Sequence, residues 1–529
     1  MTHLRHAVRI SIARPLSLAL AALLFGGCTA LPSPEAAPQA SADGAKRVQI
    51  LQTNDVHGHL LPWNRVGGSA LLAAYFDSAR VRFAGSTVLI SGGDDMQGTP
   101  ISNLSWGRAA IAAENAMGYD AAAVGNHEFD WGQDTLRARI RESRFPWLAA
   151  NLFVAGTQRQ PEWVRPWTMV ERGGVRTAVI GIALPETPET VMAGRVDGLE
   201  FGPAAPAIDR YAAEARVAGA DFVVVTMHVG GICERPGTLP EQESAGCTGE
   251  VLEVARQLAR PVDLMLAGHR HERMLTWEKG IPVVESISYA NAFSITQLER
   301  RGGHTSVLYR AIRTPSADSA TPNAAVERIV SDWDRAIRPI TERVLVSFAV
   351  PMPKADTGEF ALGDLMADAF RARTGAQASI VNNGSIRQDM PAGPLTYGTL
   401  FQLQPFQNAL VRVGVTGEQL RRALEAGLTA EGGVNAHVSG LTVAYAPRAP
   451  QGSRIRAIRL ADGRTVTDAD HVTLGLSEFV ASGGDRFVSL REGRATSTGL
   501  VDLDALIAYL QTLPQPVTPP TGRRWIAVP

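Results

Sequence analysis

The chain has 529 residues, enough for two or three domains, and 45% of them are hydrophobic, so a sizeable core can form. Charged residues make up 19% of the chain and the formal net charge is -1. This balance excludes the strongly basic surface with which proteins bind nucleic-acid polymers, and any attraction for an anionic ligand must come from a local site.

The N-terminal segment has the pattern of a secretory signal peptide, which we assign to residues 1–27. Arginines precede the apolar run Leu16–Phe25, and that run is too short to span a bilayer as a stable helix. Two glycines then lead to Cys28, a pattern that resembles a bacterial lipobox, so we expect a lipid on Cys28 and a periplasmic or outer-membrane lipoprotein. Cleavage nearby, giving a soluble extracytoplasmic protein, is the alternative. Residues 28–46 are rich in Ala, Pro and Ser and are expected to form a flexible tether.

Two further cysteines, Cys233 and Cys247, lie in a polar insertion that contains Gly and Pro. In an oxidising compartment such a pair predicts one loop disulfide. A metal site would need additional His or Cys residues nearby, and the insertion contains none.

Residues 47–312 alternate short apolar runs with helical patterns such as Ser69–Arg80 and Gly249–Leu258, which predicts a layered α/β domain. The predicted strands are Val48–Thr53, Thr87–Ser91, Ala121–Val124, Thr177–Ile182, Phe222–Met227, Leu264–Ala267 and Pro282–Glu285.

Residues 313–345 are expected to link this domain to a second one. An apolar stripe at helical spacing predicts one amphipathic helix over residues 323–344, which either bridges the two domains or packs within one of them. Residues 346–529 mix helical and strand patterns and indicate an α+β domain. Its predicted elements are the helices Leu362–Thr374, Thr416–Gly427 and Asp502–Leu513 and the strands Leu441–Ala446, Ile455–Leu460 and His471–Leu476.

Residue types that bind metals follow five of the predicted strands, at the point where each strand ends. In an open α/β sheet this edge is where ligands bind, so we expect the side chains to meet there. Mixed imidazole and carboxylate donors suit Zn, Mn, Fe or Co better than Ca or Mg. Two such ions about 3.5–4 Å apart can clamp a phosphoryl group and activate water, and a carboxylate such as Asp94 suits the bridging position. The clusters are Asp55 and His57, Asp94, Asn126 and His127, His228, and His269 and His271.

The motifs D-x-H, G-G-D, G-N-H-E and G-H-x-H resemble those of the calcineurin-like metallophosphoesterases. The longer strings Leu51–Leu60, Gly93–Pro100 and Gly125–Gly132 resemble the secreted 5'-nucleotidase family, which includes periplasmic UDP-sugar hydrolases. The resemblance covers nearly all of the chain after the tether. It implies a layered metallophosphoesterase β-sandwich flanked by helices, followed by a second α+β domain that binds the substrate.

The resemblance also implies residue roles. His127 would stay off the metals and stabilise or protonate the transferring phosphate, oriented by Asp130. A histidine needs a hydrogen-bond partner to fix its tautomer, and Asp130 follows three residues later in the same loop. Glu128 and His59 are interpreted as structural or as supports of the ligands. The implied metal sites are Asp55, His57, Asp94 and His271 for the first ion, and Asp94, Asn126, His228 and His269 for the second.

Three segments of the second domain, residues 381–387, 404–408 and 477–485, resemble the nucleotide-binding segments of the family. Stacking of a base on an aromatic side chain is worth about 1–3 kcal/mol. The departures from the family pattern are Asn383, Ser385 and Gln407, which put the base preference in question. Carried over, Phe406 and Phe479 would flank the base, and Asn382, Arg387, Asn408 and Asp485 would contact the nucleotide.

The function expected from the sequence is hydrolysis of the 5'-phosphate of extracytoplasmic nucleotides by a metal-dependent phosphoric ester hydrolase with two divalent ions. Hydrolysis of UDP-sugars or cyclic nucleotides is the alternative within the same chemistry, and a non-catalytic surface binding protein is the alternative outside it. We expect a monomer that contacts the membrane only through Cys28 and does not bind nucleic-acid polymers.

Overall fold

The computed structural model describes residues 44–83, 85–260 and 262–529. The predicted signal peptide, Cys28 and most of the predicted tether lie outside the described residues, so these predictions stay predictions. No helix within the described ranges is long and apolar enough to cross a membrane.

The elements of the first part of the chain alternate between strands and helices. Its helices are α1 (Ser69–Arg82), α2 (Pro100–Asn103), α3 (Arg108–Met117), α4 (Gln133–Glu142), α5 (Thr187–Thr190), α6 (Ala204–Val217), α7 (Glu250–Gln257) and α8 (Ala324–Thr341). Its strands are β1 (Lys46–Thr53), β2 (Ser86–Ser91), β3 (Ala121–Ala123), β4 (Trp147–Leu148), β5 (Leu152–Val154), β6 (Trp167–Arg172), β7 (Val175–Ile182), β8 (Leu199–Phe201), β9 (Phe222–Met227), β10 (Ile232–Arg235), β11 (Ala245–Thr248), β12 (Leu264–Leu266), β13 (Arg273–Glu278), β14 (Ile281–Ser286), β15 (Phe293–Arg301) and β16 (His304–Arg313).

Two six-stranded sheets pack face to face among these described elements, in the orders β16-β15-β1-β2-β3-β4 and β13-β14-β12-β9-β7-β6. In β1, Ile50 faces the apolar core between the sheets and Leu51 faces the helices outside, because successive strand residues point to opposite faces. The helices α1, α3 and α8 cover the first sheet, and α6 and α7 cover the second. Strands β1 to β4 are parallel to one another, as are β7, β9, β12 and β14, so within each sheet their carboxyl ends share one edge.

The amphipathic helix α8 begins at a capped N-terminus and packs on the first sheet's helices. The side chain of Asn323 accepts hydrogen bonds from the backbone N–H groups of Ala325 and Val326. Val326 and Val330 are buried in the core that α1 and α3 also enter. The same helix touches α10 (Tyr397–Leu403) of the second part, so it contacts both parts of the chain.

The second part has a five-stranded sheet in the order β21-β18-β24-β20-β25 within the described residues, with two smaller sheets beside it. The predicted fold class, a layered α/β sandwich followed by an α+β part, is confirmed. The further helices are α9 (Ala361–Thr374), α11 (Gly417–Ala426), α12 (Glu478–Ala481) and α13 (Asp502–Leu510). The strands are β17 (Val344–Phe348), β18 (Ala378–Asn382), β19 (Gly393–Thr396), β20 (Ala409–Thr416), β21 (Ala436–Ser439), β22 (Leu441–Tyr445), β23 (Ile455–Leu460), β24 (His471–Ser477), β25 (Arg494–Val501) and β26 (Trp525–Ala527).

The predicted loop disulfide is present. Cys233 and Cys247 face each other across the hairpin of β10 and β11, and their sulfur atoms are 2.09 Å apart. The hairpin is the polar insertion recognised in the sequence.

Candidate metal and substrate site

Five candidate ligand residues have a left-handed backbone conformation directly after their strands. Positive φ is uncommon outside glycine, costs on the order of 1–3 kcal/mol per residue, and persists where the surrounding structure enforces it, mostly at functional sites. Hydrogen bonds between loops supply that enforcement, because the Asp55 N–H donates to the Gly93 carbonyl (3.0 Å) and the His57 N–H to the Asp94 carbonyl (2.8 Å). The φ values are 52° at Asp55, 49° at His57, 55° at Asp94, 79° at His269 and 61° at His271.

The first group of potential metal ligands is Asp55, His57 and His271. Nδ1 of His57 lies 2.7 Å from the Gln97 carbonyl oxygen, which can only accept, so Nδ1 carries the proton and Nε2 keeps its lone pair. That Nε2 lies 3.1 Å from Nε2 of His271, which in turn lies 3.4 Å from Oδ1 of Asp55. Two imidazole nitrogens and a carboxylate oxygen therefore face one another.

The second group is Asp94, His228 and His269. Nδ1 of His228 lies 2.9 Å from the Gly92 carbonyl oxygen, so it is the donor. Nε2 of His228 lies 3.0 Å from Oδ1 of Asn126 and 3.0 Å from Oδ2 of Asp94. The predicted ligand Asn126 thus joins this group through its side-chain oxygen, and each of the seven predicted ligands lies in one of the two groups or directly beside it.

The charges of the site favour cations. Burial lowers the pKa of His57 well below the ordinary histidine value and that of His269 to about 3, so both rings are neutral. Burial acts to raise the pKa of Asp94, but the neighbouring histidines, His228 first, hold it well below the ordinary carboxyl value. Burial acts to lower the pKa of His228, yet Asp94 and Asp55 raise it to about 10. Ionised carboxylates converge here with the neutral rings of His57 and His269 and with His228, which the carboxylates keep protonated when no cation is bound. This donor set fits a pair of divalent transition-metal ions once His228 gives up its proton.

His127 lies beside these groups and belongs to neither. Its backbone N–H donates to Oδ1 of Asp94 (2.8 Å), and its Nδ1 lies 2.8 Å from Oδ2 of Asp130. Its ring centroid is 5.3 Å from that of His57. Burial acts to lower the pKa of His127, but the charges of Asp130 and Asp94 outweigh burial and raise the pKa above the ordinary value. The ring can therefore carry a proton next to the metal-type cluster.

Glu128 lies behind the ligands, whereas His59 lines a small cavity beside them. The carboxylate of Glu128 accepts the backbone N–H groups of Asp94 (2.8 Å), Asp95 (2.9 Å) and Gly125 (2.8 Å). It therefore joins the two loops that carry Asp94 and Asn126.

Tyr289 is a site residue that the sequence did not indicate. Its ring lies 4.5 Å from His59, 5.6 Å from His57 and 5.2 Å from His271, and its backbone N–H donates to the Asp55 carbonyl (2.7 Å). It lies in an irregular segment without a motif, so only the fold reveals its position.

Glu285 is a second such residue. It is fully buried near the end of β14, and burial raises its pKa well above the ordinary carboxyl value. A single glutamate in a predicted strand carries no sequence signal.

The predicted substrate residues bring the second part of the chain onto the metal-type cluster. The Phe406 ring lies 5.6 Å from the His127 ring, and the Arg387 guanidinium lies 5.7 Å from the Phe406 centroid. Nδ2 of Asn382 donates to Oδ2 of Asp485 (2.5 Å). These residues therefore form one cluster that includes the catalytic candidate His127.

The remaining two predicted substrate residues are fixed by their neighbours. The loop before β20 is held by Asp502, whose Oδ2 accepts from Nε2 of Gln404 (2.7 Å) and from the Asn408 N–H (3.1 Å). Asn408 itself is buried. The half-buried Phe479 ring lies against Gly484, where a Cβ atom would overlap the ring. Gly484 thus allows the ring to approach the turn that carries Asp485.

A cavity of about 20 Å³ lies between the two parts, beside the first ligand group. This volume holds about one water molecule, so the cavity as described is too small for a nucleotide. The cavity is lined by His57, His59, Gly98, Tyr289, Arg387, Gln388, Gln402 and Pro405.

Comparison with known proteins shows what the chain is similar to. Residues 341–492 match the family model "5'-nucleotidase, C-terminal domain", and residues 66–245 match the model "Bacterial capsule synthesis protein PGA_cap". A 5'-nucleotidase of Vibrio cholerae is 24% identical over 94% of this chain and 95% of its own length. The chain resembles the 5'-nucleotidase family. Another relative, endonuclease YhcR of Bacillus subtilis, is 24% identical over 89% of this chain, which spans 40% of that protein.

Solved structures agree with the fold of a 5'-nucleotidase. The crystal structure of a 5'-nucleotidase precursor from Thermus thermophilus matches with a TM-score of 0.80 and 24% identity, covering 91% of this chain and 99% of that one. The agreement extends over both the sandwich and the α+β part.

Proposed function

We propose that this chain hydrolyses the 5'-phosphate ester of extracytoplasmic nucleotides and releases a nucleoside and phosphate. The observation that carries the proposal is the contact between His127, beside the metal-type cluster, and Phe406, an aromatic ring of the second part. A phosphate on the cluster and a base on Phe406 would belong to one molecule of nucleotide size. The likeness to 5'-nucleotidases supports a hydrolase, and a nucleotide base would account for the aromatic ring of Phe406 beside the cluster.

The metal ligands follow from the two groups of side chains. Two divalent ions, Zn, Mn, Co or Fe, supply when bound the Lewis-acid activation of water and the neutralisation of phosphoryl charge. Oδ2 of Asp94 lies 3.0 Å from Nε2 of His228 and 3.7 Å from Nε2 of His57, so Asp94 reaches both groups and would be the ligand that the two ions share. The ions would be held by Asp55, His57, Asp94 and His271 and by Asp94, Asn126, His228 and His269.

His127 and Asp130 handle the proton. With Nδ1–H directed to Asp130, Nε2 is the atom of His127 that donates to a phosphoryl or leaving-group oxygen. Burial alone would lower the pKa of His127, but Asp130 raises it above the ordinary value. The proton therefore stays available near neutral pH. This role is general-acid or electrostatic stabilisation of the phosphate.

The second part binds the rest of the nucleotide. Arg387 lies near Phe406. It also lies near enough to the cluster for its positive charge to lower the pKa of His271, although burial of His271 lowers that pKa more. Its guanidinium suits an oxygen of the phosphate. Phe406 and Phe479 would flank the base. Asn382, Asn408 and Asp485 would contact the nucleoside. Because the cavity holds about one water molecule, a nucleotide enters only when the two parts separate, so domain motion belongs to the cycle.

The domain division of the proposal is that of the sequence: residues 1–27 as signal peptide, 28–46 as tether, 47–312 as metallophosphoesterase domain, 313–345 as linker with α8 and 346–529 as nucleotide-binding domain. The mature protein would be a periplasmic or outer-membrane monomer attached through lipid on Cys28. Cys28→Ser should release it from the membrane fraction or block maturation. Wild-type protein in the soluble fraction would remove the lipoprotein assignment.

A released-phosphate assay tests the function. Purified wild-type chain should hydrolyse nucleoside 5'-monophosphates, lose activity after chelation and regain it with Mn, Co or Zn. UDP-sugars, cyclic nucleotides and an aryl phosphate run in parallel separate the alternatives. Hydrolysis of aryl phosphate without hydrolysis of any nucleotide would contradict the nucleotidase assignment. It would still be consistent with a metallophosphoesterase. Full activity after exhaustive chelation would show that the reaction does not require metal ions.

A further inference from the structure

Glu285 contacts the backbone of two ligand loops at once. Its Oε1 accepts the N–H groups of Arg270 (3.1 Å) and Glu272 (3.3 Å), and its Oε2 accepts the N–H of Gly231 (3.3 Å). Arg270 and Glu272 are the residues on either side of His271. One carboxylate therefore connects the loop after β12 with the loop after β9.

The loops that Glu285 connects carry three of the candidate ligands. His269 and His271 lie in the loop after β12, and His228 lies at the start of the loop after β9. The loops pack closely at this point, since a Cβ atom at Gly230 would lie 2.7 Å from Oε2 of Glu285 and would overlap the Gly268 carbonyl. The position of the carboxylate thus sets the distance between the loops.

A second glutamate makes the same type of contact on the other side of the cluster. Glu128 accepts three backbone N–H groups, from Asp94, Asp95 and Gly125. A Cβ atom at Gly125 would lie 2.6 Å from Oε2 of Glu128. Apart from the loop of Asp55 and His57, the ligand loops thus contact one of two carboxylates: the loops of Asp94 and Asn126 contact Glu128, and those of His228, His269 and His271 contact Glu285.

The free-energy cost of burying Glu285 suits a role at the site better than a role in stability alone. Burying a carboxylate is costly unless it is paired, and no ion pair with Lys, Arg or His within 4.0 Å is found for Glu285 in the described ranges. Its partners are three backbone N–H groups, and they only partly offset the burial that raises its pKa well above the ordinary carboxyl value. His269 and His271 keep φ values of 79° and 61° in the loop that Glu285 holds. The contacts thus support a strained loop at the site.

We propose that Glu285 is a positioning residue of the metal centre. It acts through the backbone of two loops, holds His228 at the correct distance from His269 and His271, and so sets the affinity of the centre for divalent ions. The inference rests on the proposed two-metal function, and it concerns a residue outside the ligand set and the substrate pocket.

The test is metal binding to the metal-free Glu285→Gln variant. The amide keeps the size of the side chain, but its NH₂ group faces backbone N–H donors in place of an acceptor. Loss of such a supporting partner typically costs 10- to 100-fold in metal affinity. We expect the Mn concentration for half-occupancy, measured by equilibrium dialysis with elemental analysis, to rise by about that factor. Glu278→Gln on neighbouring β13 is the control, since Glu278 pairs with Arg256 at the surface and should leave the midpoint unchanged.

The outcomes separate the inference from the proposed function. A folded Glu285→Gln variant with the wild-type midpoint overturns the inference. If that variant does not fold, Glu285→Asp replaces it, because it keeps the carboxyl group but withdraws it from the backbone amides; a wild-type midpoint there overturns the inference equally. Wild-type protein that binds two ions but hydrolyses no nucleotide would contradict the proposed function and leave the role of Glu285 standing.

Discussion

The ring of Phe406 lies 5.6 Å from the ring of His127, although Phe406 belongs to the α+β part and His127 to the sandwich. The contact joins the residue proposed to stack on the base with the residue proposed to act on the phosphate. Arg387, 5.7 Å from the Phe406 centroid, extends the same cluster. Both recognition and chemistry therefore depend on how the two parts of the chain meet.

Removal of either aromatic ring should weaken nucleotide binding without disabling the metal site. Phe406→Ala and Phe479→Ala should each raise KM for a nucleotide by roughly ten- to a hundred-fold, from a stacking energy of about 1–3 kcal/mol. An aryl phosphate without a nucleobase should be hydrolysed nearly as before. Steady-state kinetics with both substrates make the comparison.

The matched control for the aromatic variants is Phe401→Ala, since Phe401 is fully buried on α10 close to Phe406 in the chain. It should destabilise the fold by about 3–5 kcal/mol and depress both reactions together. Equal losses on both substrates in Phe406→Ala and Phe479→Ala would contradict the base-stacking role.

His127 should be needed for the chemistry but not for metal binding. His127→Ala should keep two ions per chain by elemental analysis, while kcat falls about 100-fold or more, the usual scale for a positioned acid or charge stabiliser. Loss of metal together with activity would instead make His127 a ligand.

Asp130, the hydrogen-bond partner of His127, should set the pH above which kcat declines. Burial acts to lower the pKa of His127, but Asp130 and Asp94 raise it, and the net effect is a rise. The ring therefore stays protonated above the pH at which an ordinary histidine titrates. It loses its proton as the pH rises through the raised pKa. Asp130→Asn removes one negative charge, so the decline of kcat should begin at a lower pH than in wild type. An unchanged alkaline limb would argue against His127 as the acid.

Asp94 should be indispensable to both metal positions. Because its carboxylate lies between the two ligand groups, Asp94→Ala should lose both ions and all activity. Elemental analysis of the purified variant is the measurement, with Asp130→Asn as a control that keeps both ions. Two ions per chain in Asp94→Ala would show that it does not bridge.

Asp502 should make stability depend on pH in the mildly acidic range. Burial raises the pKa of Asp502 to about 6 from the ordinary value of 3.8, although its hydrogen bonds to Gln404 and Leu503 oppose the rise. The folded state then holds a proton that the unfolded chain releases, so stability falls as the pH rises from about 4 to about 6. The difference of about 2.2 pKa values corresponds to roughly 3 kcal/mol at most.

Denaturant unfolding at several pH values tests the Asp502 prediction. Asp502→Asn should lack this part of the pH dependence, so its unfolding free energy should change less between about pH 4 and pH 6 than that of wild type. Parallel curves for the two proteins would show that Asp502 does not titrate in this range. The same variant should raise KM for a nucleotide, since Asp502 holds the loop that carries Phe406.

The ligands could be predicted from the sequence because their signal is local. Each is a polar residue directly after an apolar strand, and parallel strands bring such positions to one edge. His57 and His271 follow strands of different sheets, however, and they lie close together because the two sheets pack face to face, which the strand pattern alone did not indicate. The strands β15 and β16 were not predicted. Residues of β16 alternate between exposed and half-buried over most of its length, and its pairing with β15 becomes visible only in the folded structure.

Other parts of the site could not be predicted, because their roles arise only from tertiary contacts. Tyr289 and Glu285 have no motif, and each becomes relevant through a neighbour far away in the chain. The same holds for Asp502, which begins α13 and holds the loop that leads into β20. Roles carried by the backbone leave no trace in residue type.

The left-handed conformations at Asp55, His57, Asp94, His269 and His271 also bear on how the protein matures. Three of these residues follow strands of the first sheet and two follow a strand of the second, and hydrogen bonds between loops hold them there. An unfolded or half-assembled chain has the same side chains but not the arrangement. High affinity for metal should therefore arise only once the two sheets have closed on each other, which makes metal uptake the last step of folding.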